Sequence, residues 1–372
     1  VAPTMFSGIV EYPLVLVLAC LFLPKKTQAG ASRPMLDFAV PLAIGLLTAA
    51  AVLSFQAHRA NGGVVFAALG VPGLALFTQR RHSLRFALSL AAMLIGASVF
   101  GHPGERQLHA ERTFFGVYRV SVDPAERYHA LTQGVTLHGM QSLDLLRRRE
   151  ALTYYHATGP FGQAVAAVTP PLDARIAVVG LGVGTLATYA QPGQQWTFYE
   201  IDPAAERIAR TSSYFTYLTD CGSRCRVVLG DARVSLAADP AVRYDLIVLD
   251  AFTSDAIPVH LMTQQAMSMY LTRLAPHGVI AFHISSQHLK LAAVVARLAG
   301  SLNLVAIENV DRQIAGPWAE GKSESDWVVL ARSRDDLGSL KDDGRWIPLI
   351  PSASTPLWTD DFSNILGVIR FR

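Results

Sequence analysis

A glycine-rich segment, Gly180-Leu181-Gly182-Val183-Gly184, follows a short apolar run of the sequence. Glycines at such a position permit a tight turn and let the backbone come close to a ligand. A pyrophosphate site usually carries G-x-G-x-x-G, with the phosphates at the N-terminus of the following helix. No third glycine falls at that spacing in this segment. The pattern therefore favours an adenosine group without phosphates, as in an S-adenosyl sulfonium cofactor, over a dinucleotide.

Acidic residues end the next two apolar runs. Glu200, with Asp202 just beyond it, could accept both hydroxyls of a ribose, and Asp231-Ala232 could reach an adenine amino group. Ligands of open α/β sheets bind at the carboxyl ends of the strands. The three endings together predict an adenosine pocket.

Asp250 ends a fourth, very apolar run, and Asp255, Pro258 and His260 lie in the loop beyond it. A carboxylate there would stand over the reactive end of a bound adenosyl group. An amine has a pKa of roughly 10 and must lose a proton before it attacks carbon, so a carboxylate could position and deprotonate it. The alternative is a structural role, in which Asp250 caps the following helix.

Strands and helices alternate from residue 175 onward. Short apolar runs at 175–179, 196–200, 226–229, 244–249 and 278–284 predict strands, and the segments between them predict helices. This alternation is typical of a doubly wound, Rossmann-like α/β sheet, which we expect to fill residues 166–372 as the catalytic domain. Two β-rich runs at 113–122 and 128–138 predict a small antiparallel unit within residues 105–165.

The first 104 residues have a different composition. The chain of 372 residues is 51% hydrophobic and 16% charged, yet these 104 residues hold nine charged side chains. Apolar stretches at 9–23, 38–55, 64–77 and 84–100 compare with the roughly 20 residues that cross a bilayer. We therefore expect a multi-pass integral membrane region of about four spans in the inner or plasma membrane. A buried pair of helices in a soluble protein is the alternative.

Loop charge and cofactor chemistry predict opposite sides of the membrane for the globular part. The three connections carry three, one and three Lys or Arg residues, which places the globular part outside the cytoplasm if all four stretches span. The third stretch is interrupted by Gly70, Pro72 and Gly73, and a re-entrant segment would reverse the assignment. Adenosyl donors are cytosolic, so we expect the catalytic domain in the cytoplasm.

Composition excludes several classes of protein. A net charge of +3 does not indicate a nucleic-acid partner, and three cysteines do not form a disulfide framework. Cys221 and Cys225 could form one local disulfide or remain thiols. No second pair of ligands accompanies them, so no metal site is predicted.

The order of the motifs resembles the spermidine synthase (polyamine aminopropyltransferase) family, in its membrane-fused branch. The resemblance covers about residues 110–370 and is carried by Val178–Gly184, Tyr199–Pro203, Gly230–Ala232, Leu249–Phe252, Gly134–Gln141, Tyr154–His156 and Trp358–Asn364. It implies decarboxylated S-adenosylmethionine, or S-adenosylmethionine itself, as co-substrate and a small putrescine-like amine as acceptor. The lipid bilayer and a second copy of the chain are further expected partners.

The resemblance also implies roles for single residues. The methylthioadenosine part would be held by Gln141, Gly180, Gly182, Gly184, Glu200, Asp202, Asp231, Ala232 and Pro258. Asp250 would accept the proton, and the amine would be bound by Tyr155, His156 and Asp255. Val183 and Ala157 stand where the family usually has an aspartate and a glutamate for the amine, and Asp255 lies farther from Asp250 than the family's second carboxylate does.

Two other functions fit the same adenosyl pocket. One is an S-adenosylmethionine-dependent methyltransferase, or another enzyme using that cofactor, in which Asp250 orients the acceptor. The other is a non-catalytic membrane protein that senses a nucleoside.

Overall fold

The computed structural model describes residues 11–23, 34–58, 62–98, 105–134, 136–168, 171–251, 258–286, 289–312 and 321–369. The chain divides into two compact units, residues 1–105 and 106–372. The first is helical, and the second contains both sheets described below.

The first unit contains four apolar helices: α1 (Glu11–Leu21), α2 (Pro34–His58), α3 (Gly62–Thr78) and α4 (Ser83–Ser98). Among the described residues, one helical segment, Met35–Ser54, is long and apolar enough to cross a membrane. Its mean hydropathy is 2.1, and only a small part of it is buried within the protein. Four apolar helices thus occupy the predicted stretches, and one of them meets the length of a span.

Helices α2 and α4 run parallel and pack closely. Arg85 at the start of α4 pairs with Asp37 at the start of α2, at 2.7 Å. Farther along both helices, the small residues Gly45, Ala92 and Gly96 lie at their contact. Small residues at a helix contact let two backbones approach, which is typical of helices that pack in a bilayer.

A small antiparallel sheet opens the second unit. Its strands are β1 (Arg106–Arg112), β2 (Val117–Val122), β3 (Tyr128–Gln133) and β4 (Thr136–Ser142), paired in that order. The two runs predicted from sequence correspond to β2, β3 and the start of β4, and β1 precedes both of them. The first run was placed too early, because the backbone N–H of Thr113 donates to the Gly116 carbonyl (2.8 Å) in the turn that precedes β2. The polar sequence of β1 gives little strand signal.

The large sheet has eight strands: β5 (Arg175–Val179), β6 (Gln195–Glu200), β7 (Cys225–Leu229), β8 (Tyr244–Leu249), β9 (Leu274–His283), β10 (Val305–Asp311), β11 (Ser325–Ala331) and β12 (Ile347–Pro348). Their order in the sheet is β12-β10-β11-β9-β8-β5-β6-β7. Strands β5 to β9 are parallel, whereas β11 is antiparallel to its neighbours β9 and β10. This is the Rossmann-like sheet of methyltransferase type, and the predicted fold class is confirmed.

Helices cover the sheet and two hydrophobic clusters lie against it. The helices are α5 (Pro160–Val168), α6 (Pro203–Arg210), α7 (Tyr217–Cys221), α8 (Ala232–Ala238), α9 (Gln264–Arg273) and α10 (Ala292–Ser301). Along β5, Ile176 and Val178 join one cluster, while Ala177 and Val179 join the other. Successive side chains of a strand point to opposite faces, so the continuous apolar run reflects burial on both faces.

Cys221 and Cys225 form a disulfide between the end of α7 and the start of β7. This decides the alternative that the sequence left open. The bond closes a loop of a few residues beside the third parallel strand.

Candidate active site

A cavity of about 360 Å³ lies at the carboxyl ends of β5, β6, β7 and β8. Eight of the residues predicted for the site line it: Gly180, Gly182, Glu200, Asp202, Asp231, Ala232, Asp250 and Pro258. Apolar and aromatic side chains complete its wall, among them Phe115, Tyr118 and Leu131 from the small sheet. A largely apolar concave site with a few convergent polar groups is the usual form of a small-molecule pocket.

The turn after β5 lies directly against the end of β8. Gly180 has a φ of 99°, and a Cβ built on it would lie 2.1 Å from the carbonyl oxygen of Asp250. Backbone hydrogen bonds of 2.9 Å join Gly180 to Tyr199 and Asp250 to Val179. Glycine is therefore required at this position, both by its conformation and by the space that remains.

Glu200 is nearly buried at the end of β6. Its two carboxylate oxygens accept hydrogen bonds from the backbone N–H groups of Leu181 (3.0 Å) and Asp202 (2.8 Å). Burial raises the pKa of the Glu200 carboxyl above its ordinary value, although these two bonds act in the opposite direction. A carboxylate fixed in this way can accept hydroxyl groups from a ribose.

Asp202 joins the two sheets of the unit. One of its oxygens accepts from the backbone N–H of Ala204 (2.9 Å) and caps α6, and the other accepts from the Thr113 hydroxyl (2.6 Å). Burial, followed by the charges of Asp202 and Glu200, raises the pKa of the neighbouring Tyr118 hydroxyl. Asp202 therefore positions a wall of the cavity as well as lining it.

Asp231 is held at the start of α8. It accepts a hydrogen bond from the backbone N–H of Val234 (2.9 Å), and its second oxygen lies 3.0 Å from His260 Nε2. Two residues along the helix, the guanidinium of Arg233 makes a two-pronged pair with Asp360 at 2.8 and 2.7 Å. The Trp358–Asn364 motif thus supports this side of the cavity through Asp360.

Both oxygens of Asp250 have partners inside the protein. His283 Nδ1 lies 2.7 Å from one oxygen, and the Tyr155 hydroxyl donates to the other. The His283 ring stacks between Tyr154 and Trp327, with centroids 4.5 and 4.7 Å away. Burial, and then the charge of Asp250, raises the pKa of Tyr155, which keeps the phenol protonated as a donor. Asp250 is therefore rigidly oriented.

Five predicted residues do not line this cavity as described. Tyr155 is buried and acts on the cavity through its hydrogen bond to Asp250. The Gln141 amide bonds to the Arg148 carbonyl (2.8 Å) and to Thr216, so its hydrogen-bonding groups hold a loop. Gly184 precedes a short 3₁₀ turn, Thr185–Tyr189, and lies against Leu218. His156 lines a separate cavity of about 500 Å³. Asp255 lies outside the described residues.

Three histidines at the site were not assigned roles from the sequence. His138 lines the cavity from β4, His260 contacts Asp231, and His283 ends β9 beside Asp250. The signal for His283 was its place at the carboxyl end of a parallel strand, the same position that identified Glu200 and Asp250. Within the described part of the chain, no three His, Cys, Asp or Glu side chains form a group that could hold a metal ion.

Comparison with known proteins gives a partial match in sequence. No family model matches the chain. Over 115 residues it is 35% identical to a polyamine aminopropyltransferase from Vibrio vulnificus, a match that covers 30% of this chain and 37% of the relative. The chain thus spans just over a third of that relative's length. The resemblance to the spermidine synthase family is confirmed over this stretch.

Solved structures of similar proteins have low identity to the chain. A probable spermidine synthase from Corynebacterium glutamicum is 16% identical, with a TM-score of 0.49, over 71% of this chain and 99% of that one. The spermidine synthase from Thermotoga maritima is 12% identical, with a TM-score of 0.44, over 61% and 73% of the two chains. Values this low support no statement about activity.

The raised pKa of Glu200 predicts how nucleoside binding depends on pH. The free protein holds a proton on Glu200 up to a higher pH than an ordinary glutamate does, whereas ribose hydroxyls need the carboxylate as acceptor. Affinity for methylthioadenosine, measured by calorimetry, should therefore rise as pH increases through this pKa. Glu200→Gln should weaken binding by about tenfold or more, since a hydrogen bond to a charged group contributes about 1.5–3 kcal/mol.

The matched control is Glu206→Gln on α6, where Glu206 pairs with Arg210 and does not line the cavity. It should leave both the affinity and its pH dependence unchanged. A Glu200→Gln protein that binds like the unaltered protein at every pH would show that Glu200 does not contact the ribose.

Proposed function

We propose that the chain is an aminopropyltransferase that uses decarboxylated S-adenosylmethionine and a small, putrescine-like amine and releases methylthioadenosine. The observation that carries this proposal is one cavity with Glu200 and Asp231 on one side and the oriented carboxylate of Asp250 on the other. The similarity to the Vibrio vulnificus polyamine aminopropyltransferase supports the same reaction.

The charge of the cavity favours the decarboxylated donor. Four acidic side chains line it, and none of its described lining residues is Lys or Arg. Decarboxylated S-adenosylmethionine carries a sulfonium and an ammonium but no carboxylate, so its charge is opposite to that of the wall. The carboxylate of S-adenosylmethionine would have no strong cationic partner there. For the same reason, a methyltransferase that uses S-adenosylmethionine is the less favoured of the two functions.

The acceptor side offers less negative charge than the family resemblance implies. Val183 and Ala157 replace two expected acidic residues, and His283 is hydrogen-bonded to Asp250. In this proposal the acceptor amine is therefore attracted mainly by the combined negative charge of the carboxylates that line the cavity.

In the reaction, the nitrogen lone pair of the neutral amine attacks the carbon next to the sulfonium. The new C–N bond forms as the C–S bond breaks, and its electron pair returns to sulfur as a neutral thioether in methylthioadenosine. From its sequence position Asp250 was expected to take the amine proton. Tyr155 and His283 each hold one of its oxygens, and because a carboxylate oxygen keeps a further lone pair, the proposed role of Asp250 is to orient the amine and accept its proton.

Product analysis tests this function. Purified chain given decarboxylated S-adenosylmethionine and putrescine should release methylthioadenosine and a longer polyamine, detected by mass spectrometry. Asp250→Asn should lower turnover at least about 100-fold, because it removes the charge and one of the two carboxylate oxygens that accept from Tyr155 and His283. Asp239→Asn, at an exposed position, should have no effect.

Formation of S-adenosylhomocysteine from S-adenosylmethionine, without aminopropyl transfer, would overturn the proposal in favour of a methyltransferase. Methylthioadenosine binding without any turnover would instead favour a nucleoside sensor. Full activity of Asp250→Asn would remove Asp250 from the reaction.

We further propose that residues 1–104 anchor the enzyme as a multi-pass membrane region. The parallel packing of α2 and α4 supports this, because α3 must then run back between them. A cytosolic donor requires the second unit on the cytoplasmic side. The basic connections and the Cys221–Cys225 disulfide argue the opposite, since disulfides persist in oxidising compartments.

Thiol labelling of intact cells decides the side. We expect the full chain to stay in alkali-washed membranes. A Cys20→Ser, Ala353→Cys variant carries a new thiol at an exposed site, and an impermeant maleimide should label it only after lysis. Cys20→Ser alone is the control for labelling of Cys221 and Cys225. Labelling of intact cells would place the second unit outside and contradict the cytoplasmic assignment.

A further inference from the structure

A histidine with no role in the chemistry proposed above contacts Asp231 inside the cavity. His260 lines the cavity from the short 3₁₀ turn Val259–Leu261, and its Nε2 lies 3.0 Å from one oxygen of Asp231. An ionised carboxylate can only accept hydrogen bonds. The proton of this contact is therefore on Nε2, and His260 donates to Asp231.

The two oxygens of Asp231 are held by different elements. One accepts from the backbone N–H of Val234 (2.9 Å) on α8, and the other accepts from His260. Each oxygen keeps a further lone pair, since a carboxylate has about four acceptor positions. The carboxylate is thus fixed in orientation and offers a ligand acceptors alone. An exocyclic amino group, such as that of adenine, matches these acceptors, whereas a carbonyl oxygen in its place would be repelled.

The backbone of His260 is held by an ion pair beside the cavity. Nη1 of Arg233 donates to the His260 carbonyl (3.0 Å), and the same guanidinium makes the two-pronged pair with Asp360. A guanidinium has five N–H groups in one plane, so a single arginine can bridge these two acceptors. The turn that carries His260 is thereby tied to α8, the helix that begins after Asp231.

Asp360 is fixed in turn by the start of α9. Its carboxylate accepts from the Thr263 hydroxyl (2.7 Å), and its backbone N–H donates to Gln265 Oε1 (3.1 Å). The Arg233 guanidinium, and then the Thr263 hydroxyl, lower the pKa of Asp360 to about 2, so the carboxylate stays ionised near neutral pH. The adjacent Asp361 is exposed and takes no part in this pair.

We propose that His260 is a specificity-determining residue for the adenine of the donor, and that Arg233 and Asp360 are the residues that position it. The inference rests on the adenosyl donor of the proposed function. The hydrogen bond from His260 presents Asp231 to the base in one orientation, as the acceptor of the amino group. The Trp358–Asn364 motif acts on the base through Asp360, which lies outside the lining of the cavity.

Binding of two nucleosides to the full-length chain tests this proposal. The probes are methylthioadenosine and its 6-deamino analogue, in which purine replaces adenine, and calorimetry gives the affinity for each. The unaltered protein should bind methylthioadenosine at least about tenfold more tightly, because an amino group that donates to a carboxylate makes a charge-assisted hydrogen bond. His260→Leu should reduce this preference to about threefold or less.

Matched variants separate the hydrogen bond from packing. A glutamine side chain can place an N–H near the position of Nε2, so His260→Gln should keep most of the preference that His260→Leu loses. Asp360→Asn should lower the preference about threefold, because it removes the charge and one of the two oxygens that hold Arg233. Asp361→Asn, at the adjacent exposed carboxylate, is the control and should leave the preference unchanged.

Turnover gives a second measurement of the same role. At saturating donor, the kcat of His260→Leu should stay within about threefold of the unaltered value, while the KM for the donor rises about tenfold. This division is expected because His260 acts at the base and Asp250 is unchanged. A fall in kcat at unchanged KM would place His260 at the reactive end and overturn the proposal.

The remaining outcomes separate this inference from the function on which it rests. An unchanged preference in His260→Leu, or an equal loss in His260→Gln, would overturn the role of His260 and leave the aminopropyl transfer intact. The expected preference without any release of methylthioadenosine from the donor would contradict the transfer but not the role of His260. An unaltered protein that binds neither nucleoside would overturn the proposed function itself.

Discussion

The structure of the site depends on the contact between the turn after β5 and the carbonyl of Asp250. With 2.1 Å between a Cβ at Gly180 and that oxygen, no side chain fits, so two neighbouring parallel strands end at the same level. The proposed adenosyl side of the cavity and its proposed reactive side are thereby held in fixed positions relative to each other. Larger residues at this position would separate the strand ends and the functions that each carries.

A second constraint is the concentration of negative charge in a small, largely apolar space. Glu200, Asp202, Asp231 and Asp250 line one cavity, and each is held by donors from the backbone or from neighbouring side chains. Fixed carboxylates do not need to reorganise when a cation enters, which strengthens their interaction with it. The same arrangement disfavours an anionic ligand. The proposed preference for a cationic donor therefore follows from the site as a whole and does not require a single recognition residue.

The sequence predicted the parts of the site that follow from strand endings. Apolar runs locate the parallel strands, and because such strands end at one edge, the sequence alone predicts that Glu200, Asp231 and Asp250 lie together. Residues whose roles depend on tertiary partners were harder to predict. Gln141 resembles a ligand-binding residue in its motif, yet its amide is used by the loop at Arg148 and Thr216.

The positions of His138 and His283 at the site also could not be predicted, because they depend on partners that are distant in sequence. His283 stacks between two aromatic rings that are distant in sequence, and His138 lines the cavity because β4 of the small sheet lies against the glycine turn. The small sheet itself was predicted as two strands, because β1 is polar and its pairing with β2 depends on a turn that hydrophobic periodicity does not show.

The most direct test of the central claim is the affinity of the purified chain for decarboxylated S-adenosylmethionine and for S-adenosylmethionine, measured by calorimetry at one pH and one salt concentration. The two ligands differ in one carboxylate. An acidic cavity whose described lining residues include no Lys or Arg should bind the decarboxylated ligand at least about tenfold more tightly, a difference of about 1.4 kcal/mol. Equal affinity, or tighter binding of S-adenosylmethionine, would contradict the account.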